Sequence, residues 1–301
     1  MRVVSLLPSA TEIVGALGGL EHLVGVTHEC DWPPVVSSRA RVTSCAIDST
    51  KPPREVDEQV RALSASGQAL YTLNEKLIRS LHPDLILTQA LCEVCAVHEG
   101  DVRALAASIS PAPPVISLAP TTLDAVLDDV ARVGAALGLE DEAEELLAGL
   151  RARLQSVHAT LKTAQAPRPR TAVVEWGDPV FTGGHWVPDM IHRAGGVDVI
   201  GKSGEHSRTI AAAEFEAADP AIIVVAPCGY DLARAESEAR RLLATNAWAW
   251  ARTREVWAMD ANAFASRPGP RLVEGVEILA RIYNPALFSP LDPAHATRIF
   301  I

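Results

Sequence analysis

The fold is decided by the opening segment Val3-Val4-Ser5-Leu6-Leu7-Pro8-Ser9-Ala10-Thr11-Glu12. Its apolar run at residues 3–7 predicts a buried β-strand, and the residues after Pro8 predict a helix. Further apolar strands are predicted at residues 85–88 and 115–118, with helical segments between them. Strands and helices in alternation are typical of a parallel sheet with crossover helices. We therefore predict an α/β lobe for this part of the chain.

A long helical segment follows this lobe. Apolar residues recur at helical spacing from Thr122 to residue 163, with an interruption at Gly138, before two prolines end the segment. Apolar strands and helices then alternate again. We predict an α/β fold of two Rossmann-like lobes with central parallel sheets, residues 1–121 and 168–301, joined by a long backbone helix within residues 122–167.

Charge and composition exclude several classes of partner. The 301 residues carry a formal net charge of −10, whereas nucleic-acid binding needs clustered lysines and arginines. The same acidity disfavours an anionic membrane surface. The sequence after Met1 has no apolar region of signal-peptide length and no early cysteine to carry a lipid. We therefore predict a cytoplasmic protein with a small-molecule ligand and with no nucleic-acid or membrane partner.

The loops that follow the predicted strands carry the candidate ligand-binding residues, because α/β folds bind their ligands there. These loops are rich in tryptophan, histidine, cysteine and arginine in both halves of the chain, which predicts a polar and aromatic cleft between the lobes. The candidates are Ser9, Thr11, Glu29, Trp32, Gln89, Trp176, His185, Trp186, Tyr230, Arg267 and Arg271.

Each candidate type has a second interpretation. Tryptophans suit a flat macrocycle, and two arginines between prolines suit a carboxylate or phosphate. Helix N-capping and salt bridges between the lobes are the competing explanation for Arg267 and Arg271. A hydrogen-bonded structural histidine is the competing explanation for His28 and His185, which would otherwise ligate a metal from opposite lobes.

The segment Cys92-Glu93-Val94-Cys95 has the CxxC spacing of zinc and iron–sulfur ligands. His28 or Cys30 would complete the set, so a metal site is predicted from His28, Cys30, Cys92 and Cys95. A redox pair has the same spacing, and small buried residues that pack a loop are a third interpretation. GxSxG, Walker A and HExxH patterns do not occur, so binding without turnover is favoured over catalysis.

Several motifs carry a resemblance to a known family. The segment Ser5–Glu12, together with Pro83-Asp84-Leu85-Ile86, resembles the helical-backbone metal-receptor family, the class III substrate-binding proteins for cobalamin, heme and iron–siderophore chelates. Four further motifs resemble a subgroup labelled cobalamin-binding: Glu29-Cys30-Asp31-Trp32-Pro33, Cys92-Glu93-Val94-Cys95-Ala96, Gly183-Gly184-His185-Trp186 and Arg267-Pro268-Gly269-Pro270-Arg271. The resemblance implies two lobes joined by a backbone helix, with cobalamin or a related corrinoid as the ligand.

The chain differs at two positions from the members of this family that dock to a transporter permease. Members that dock to a permease carry a glutamate seven residues before the strand proline in each lobe, where this chain has Lys76 and Ala213. Glu75 and Glu214 lie one residue away, about 100° around a helix. With no export signal recognised, we predict a cytoplasmic protein that holds a corrinoid or similar metal chelate between its lobes and does not dock to a permease. The alternative is a protein or enzyme with a zinc or iron–sulfur centre built on Cys92, Cys95 and Cys30.

Overall fold

The computed structural model describes residues 1–66, 68–90 and 97–300. Its strands are β1 (Val3–Ser5), β2 (Leu23–Val26), β3 (Ala40–Arg41), β4 (Thr43–Cys45), β5 (Tyr71–Leu73), β6 (Leu85–Gln89), β7 (Val115–Leu118), β8 (Arg170–Gly177), β9 (Val180–Thr182), β10 (Val197–Asp198), β11 (Ile222–Val225), β12 (Glu255–Met259) and β13 (Ala296–Ile299). Its α-helices are α1 (Pro8–Ala16), α2 (Pro53–Ala65), α3 (Glu75–Ser80), α4 (Glu99–Ala107), α5 (Leu123–Leu137), α6 (Glu140–Thr163), α7 (Val187–Arg193), α8 (Ala212–Ala217), α9 (Leu232–Ala244), α10 (Ala261–Phe264) and α11 (Leu272–Tyr283).

The chain divides into two compact units. The N-terminal unit comprises Met1–Pro120 and Leu127–Leu147, and the C-terminal unit comprises Thr121–Val126 and Ala148–Ile301. Each unit is an α/β assembly with its own central sheet, which confirms the predicted fold class. In the ranges described, no helix is long and apolar enough to cross a membrane.

The N-terminal unit is built on a parallel sheet with the strand order β3-β2-β1-β6-β7. The residues of β1 and residues 85–88 of β6 are buried, as expected for parallel strands covered on both faces. Strands β4 and β5 form a separate antiparallel pair. A side-chain cluster around Ile78, Ile86 and Val102 packs helices α3 and α4 against the sheet.

The C-terminal unit has the strand order β10-β8-β11-β12-β13. Strands β10, β8, β11 and β12 are parallel, β13 is antiparallel at one edge, and β9 pairs antiparallel with the end of β8. All four residues of β11 are buried. The core of this unit is rich in aromatic side chains, and Phe215 contacts both Trp248 and Trp250 edge-on.

The helical segment predicted over residues 122–163 is present as the two helices α5 and α6. Gly138 lies at the break with a φ of 68°, a left-handed conformation that glycine adopts without steric cost. A Cβ atom placed on Gly134 would lie 2.5 Å from the Cβ of Ala143. The start of α6 therefore packs beside the end of α5, and this close approach requires a residue without a side chain.

In each of the two sheets, the strand order identifies one strand beside which a ligand is expected to bind. Strand β1 lies between β2 and β6, so the chain continues on one side of β1 and later returns on its other side. Strand β8 likewise lies between β10 and β11. Ligands of open α/β sheets bind beyond the carboxyl ends of the strands at such a switch point. The residues that follow β1 and β8 are therefore the natural centres of a candidate site in each unit.

Stability measurements on two glycine variants would test the α5–α6 contact. Gly134→Ala should lower the free energy of unfolding by about 1–3 kcal/mol, because the added methyl group overpacks the contact with Ala143. Gly149→Ala is the control: its Cβ would meet nothing within 4 Å, so removing a helical glycine should stabilise by about 0.5–1 kcal/mol. Urea denaturation gives both values. Changes of the same sign in the two variants would contradict the proposed packing.

Candidate functional site

The carboxyl end of β1 carries a chain of hydrogen-bonded side chains inside the N-terminal unit. Thr11 Oγ1 donates to Ser5 Oγ at 2.8 Å and lies 3.0 Å from Cys30 Sγ. Because the threonine hydrogen is used by Ser5, the thiol of Cys30 is the donor in the second contact. Ser5, Ser9, Thr11 and Cys30 are all buried. These groups hold the start of α1 against the loop after β2.

A second polar group surrounds His28 at the end of β2. His28 Nδ1 lies 2.7 Å from Thr43 Oγ1, and the hydroxyl of Tyr71 donates to Glu29 at 3.2 Å. Arg41 donates to the carbonyl oxygens of Thr27 at 2.9 Å and Cys30 at 2.6 Å, which fixes the loop that carries His28 and Glu29. This group is partly exposed and is the more accessible of the two in this unit.

Three members of this second group were missed in the sequence: Thr43, Cys45 and Tyr71. They come together because β4 pairs with β5, which places Cys45 opposite Tyr71. Burial raises the pKa of the Cys45 thiol, and the N–H of Ile47, which donates to its sulfur at 3.3 Å, opposes that shift. Strands β4 and β5 have three residues each, which is too short for an alternation of polar and apolar residues to identify either of them in the sequence.

Of the four metal ligands predicted from the sequence, the structure describes only His28 and Cys30. Cys92 and Cys95 lie outside the described residues. Cys30 is buried against Thr11, whereas His28 contacts Thr43 and lies 4.0 Å from a Glu29 oxygen. Across the described ranges, no group of three or more His, Cys, Asp or Glu side chains is arranged to hold a metal ion. The zinc or iron–sulfur centre stays a prediction. Of the remaining N-terminal candidates, Gln89 ends β6 and is partly exposed, and Trp32 is 45% exposed.

The carboxyl end of β8 organises the site of the C-terminal unit through Glu175. Its carboxylate accepts a hydrogen bond from the N–H of Gly184 at 3.0 Å and another from the hydroxyl of Ser207. Burial raises the pKa of this carboxyl group, while the bonds from Ser207 and Gly184 act in the opposite direction. One side chain therefore ties together two loops that are more than twenty residues apart in sequence.

These two loops bring His185 and His206 into contact. His185 has a φ of 51°, and its Nε2 lies 2.9 Å from His206 Nδ1. A Cβ atom on Gly184 would lie 2.8 Å from Ser207 Oγ and also against the Ser207 backbone, so only glycine lets the loops approach this closely. Burial, and secondarily His206, lowers the pKa of His185. His206 was predicted to be a plain surface residue, and it is exposed, but it is paired.

Trp186 supports this arrangement from inside the unit. It is buried, stacks on His185 with ring centroids 5.5 Å apart, and donates its indole N–H to the carbonyl oxygen of Ala265 at 2.7 Å. Ala265 is followed by the loop that carries Arg267. Trp186 therefore positions two loops, and a direct contact of its ring with a ligand stays a prediction.

The neighbouring strand ends add aromatic and charged groups. Trp176 meets Tyr230 edge-on at 5.7 Å, and Arg234 lies 3.9 Å over the Tyr230 ring. The indole N–H of Trp176 is buried and has no hydrogen-bond acceptor within the part of the chain that is described. Buried donors without a partner are few in native proteins and concentrate where function requires them.

Arg267 and Arg271 share an electrostatic partner in Asp260, which caps α10 by accepting from the N–H of Ala263 at 2.9 Å. Burial raises the pKa of Asp260, and the positive charges of Arg271 and Arg267 oppose that shift. The charges of both arginines therefore act on one carboxyl group at the end of β12. Asp260 belongs to the same unit as both arginines, so this interaction does not decide between the two interpretations, and the role of Arg267 and Arg271 in binding a ligand stays a prediction.

Comparison with known sequences agrees with this architecture. A protein-family model described as Periplasmic binding protein matches residues 3–261. The chain is similar to the uncharacterized ABC transporter substrate-binding lipoprotein YvrC of Bacillus subtilis (strain 168). The two are 26% identical over 305 residues, which cover 95% of this chain and 81% of YvrC.

Solved structures give the same result for the fold. A periplasmic heme-binding protein from Pseudomonas aeruginosa superposes with a TM-score of 0.72 at 22% identity, covering 100% of this chain and 98% of that one. The periplasmic vitamin B12 binding protein BtuF of Vibrio cholerae superposes with a TM-score of 0.62 at 21% identity, covering 95% and 97%. The resemblance to class III binding proteins drawn from the sequence motifs is thereby confirmed.

Two predictions made from the sequence are wrong: the cytoplasmic location and the absence of a permease partner. The matching family is one of periplasmic proteins, and YvrC is named as a lipoprotein of an ABC transporter. The second prediction relied on Lys76 and Ala213 in place of two docking glutamates. In the structure Glu75 and Glu214 are exposed on α3 and α8, each in an ion pair with an arginine. A shift of one residue moves a carboxylate about 100° around its helix without removing it from the surface.

The pH dependence of stability would test the environment of Glu175. Its pKa in the folded state lies above the ordinary value of 4.5, so the stability gained from its protonation is present below that value and is lost as pH rises through the folded pKa. Glu175→Gln does not titrate. We therefore expect urea denaturation to show that the free energy of unfolding of the variant, relative to that of the parent protein, is higher at pH 8 than at pH 5.

The carboxyl groups of Asp129 and Asp260 are common to both proteins and cancel in this difference, whereas Asp198 contributes to it because its charge raises the pKa of Glu175. Glu144→Gln, at an exposed position on α6, is the control, and its stability difference should be the same at both pH values. A Glu175→Gln difference that does not change between pH 5 and pH 8 would show that burial does not govern this carboxyl group.

Proposed function

The chain belongs to the periplasmic binding protein family, and from that membership we propose that it binds a metal chelate of the corrinoid or heme class and delivers it to an ABC transporter. A corrinoid is the first candidate within this class, because the cobalamin-binding-like motifs of the sequence include the loop Gly183–Trp186. Named relatives support the wider class, since they include a heme-binding protein, a vitamin B12 binding protein and an ABC transporter lipoprotein.

The observation that carries the proposal is the group of loops at the carboxyl ends of β8, β11 and β12. They combine the aromatic pair Trp176 and Tyr230, the paired imidazoles of His185 and His206, and two arginines whose charges act on Asp260. A tetrapyrrole chelate has a broad apolar face, polar groups at its rim and a metal at its centre. Aromatic rings suit the face, charged side chains suit the rim, and imidazole suits the metal.

The structural role of these loops supports the same proposal. Glu175, Trp186 and the close approach at Gly184 fix the loops before any ligand arrives. A site that is ordered in advance loses less conformational entropy on binding, so more of its contact energy is available as affinity. The placement of the ligand between the lobes, inferred from the sequence, stays a prediction.

Ligand titration tests the proposal directly. We expect cobinamide, cyanocobalamin or ferric protoporphyrin IX to change its visible spectrum on addition to the purified protein, with saturation at one ligand per chain. Trp176→Ala should weaken binding about 10-fold, because one aromatic contact contributes about 0.5–1.5 kcal/mol beyond the buried area.

Trp257→Ala is the matched control, because Trp257 belongs to the same sheet, is also partly exposed and donates its indole N–H to Glu255 at 2.9 Å. The affinity of the Trp257→Ala variant for the chelate should equal that of the parent protein. No spectral change with any of the three chelates at tens of micromolar would overturn the proposed function.

The transporter partner is tested at Glu75 and Glu214. The double variant Glu75→Lys with Glu214→Lys should reduce co-purification with a cobalamin-type or heme-type permease in detergent by about 10-fold at low salt, because charges at an interface mainly set orientation and association rate. Glu144→Lys gives the same type of charge reversal at another exposed helical position and should have no effect. Equal recovery of the double variant and the control would exclude these two residues from docking.

A further inference from the structure

We propose that His206 ligates the metal of the bound chelate through its Nε2 atom and that His185 is the positioning residue that presents it. The inference rests on the proposed function and assigns one residue of the site to the metal itself. Its basis is the contact between two loops of the C-terminal unit, which brings together two imidazoles that lie 21 residues apart in sequence.

The hydrogen bond between the rings defines which nitrogen is available. His185 Nε2 and His206 Nδ1 are 2.9 Å apart, with the ring planes at 86°. In the arrangement that we infer, His206 Nδ1–H donates to the lone pair of His185 Nε2. The second nitrogen of His206 then carries no hydrogen and offers a lone pair. Metal-ligating histidines generally donate their other N–H to a fixed acceptor in this way.

His185 is suited to be that fixed acceptor. Its ring stacks on the buried Trp186, and its backbone N–H donates to the carbonyl oxygen of Glu205 at 2.6 Å. His206 follows Glu205 directly, so the same backbone bond holds the loop that carries it. His206 is exposed, whereas His185 is only partly exposed. The ring of the outer histidine is therefore accessible to a ligand, and the inner histidine fixes the position of that ring.

Glu175 and Gly184 keep the two loops in this register. The Glu175 carboxylate accepts from the N–H of Gly184, next to His185, and from the hydroxyl of Ser207, next to His206. A side chain at residue 184 would collide with Ser207. The contact between the histidines is therefore built into the unit and does not depend on two mobile surface side chains meeting by chance.

The number of ligands indicates a chelated metal rather than a bare ion. Protein sites for bare zinc use three or four side-chain ligands, and within the described ranges no cluster of three suitable side chains exists. A corrinoid or porphyrin supplies four nitrogens in its own plane and leaves an axial position. One imidazole is sufficient for that position, which matches what this pair offers.

Axial coordination is tested with ferric protoporphyrin IX and diaquocobinamide as probes. The parent protein should give the low-spin electron paramagnetic resonance signal of imidazole-ligated ferric heme and a matching visible shift of cobinamide. His206→Ala should lose both signatures and bind about 10- to 100-fold more weakly. Added imidazole should restore the signatures in His206→Ala, and His158→Ala, which removes an exposed histidine on α6, should behave as the parent protein.

The positioning role of His185 has a separate readout. His185→Phe keeps a ring against Trp186 but removes the acceptor, so it should retain the imidazole signature with about 10-fold weaker binding. His185→Asn tolerates the left-handed backbone and keeps an acceptor oxygen, so it should recover part of that loss. Urea denaturation of each variant identifies any change that comes from unfolding.

The outcomes separate this inference from the proposed function. If the parent protein binds a chelate and His206→Ala keeps the same spectrum and affinity, His206 is not the ligand and only this inference is overturned. If the parent protein binds neither probe and also fails with cyanocobalamin, the proposed function and this inference fall together. Loss of the axial signature that imidazole restores establishes the assignment.

Discussion

Parallel pairing is the constraint on which the rest of this structure depends. A strand that runs parallel to its neighbour needs a crossover connection, so the carboxyl ends of the parallel strands meet at one edge of the sheet. In the C-terminal unit this collects the residues after β8, β11 and β12 at a single edge. Residues as distant in sequence as Trp176 and Tyr230 therefore contact each other. The site follows from the topology, and the loops decide its chemistry.

The partly buried carboxylate of Glu175 joins two of these loops through hydrogen bonds. Placing a carboxylate away from water is costly unless hydrogen bonds compensate for the lost solvation. Gly184 and Ser207 supply two such bonds, yet burial still dominates and raises the pKa of Glu175. Strain and poorly solvated groups of this kind are tolerated where they organise a site. The left-handed backbone of His185 in the same loop agrees with that interpretation.

The sequence predicted the two parallel sheets because a buried strand such as β6 or β11 is a continuous apolar run that contrasts with the helices beside it. It did not predict α2, a mostly polar helix in which only Pro53 and Val56 are buried, because its apolar stripe of Val56, Val60 and Leu63 was not recognised. Nor did it predict the contact of His185 with His206, which depends on a hydrogen bond between Glu175 and Ser207 across 32 residues. The cytoplasmic location was inferred from the residues that follow Met1, and the match to periplasmic and lipoprotein relatives overturns it.

Family membership and local chemistry therefore answer different questions about this chain. A shared fold accommodates several ligand classes, and the group that contacts the ligand is set by the residues of the loops. Trp186 shows how little freedom those residues have, because its ring supports His185 on one side and its N–H holds the carbonyl of Ala265 on the other. A change at any one of these three positions is transmitted to the others through direct contact. A single substitution in these connected loops therefore acts on the contact between His185 and His206 and on the arginine-bearing loop together.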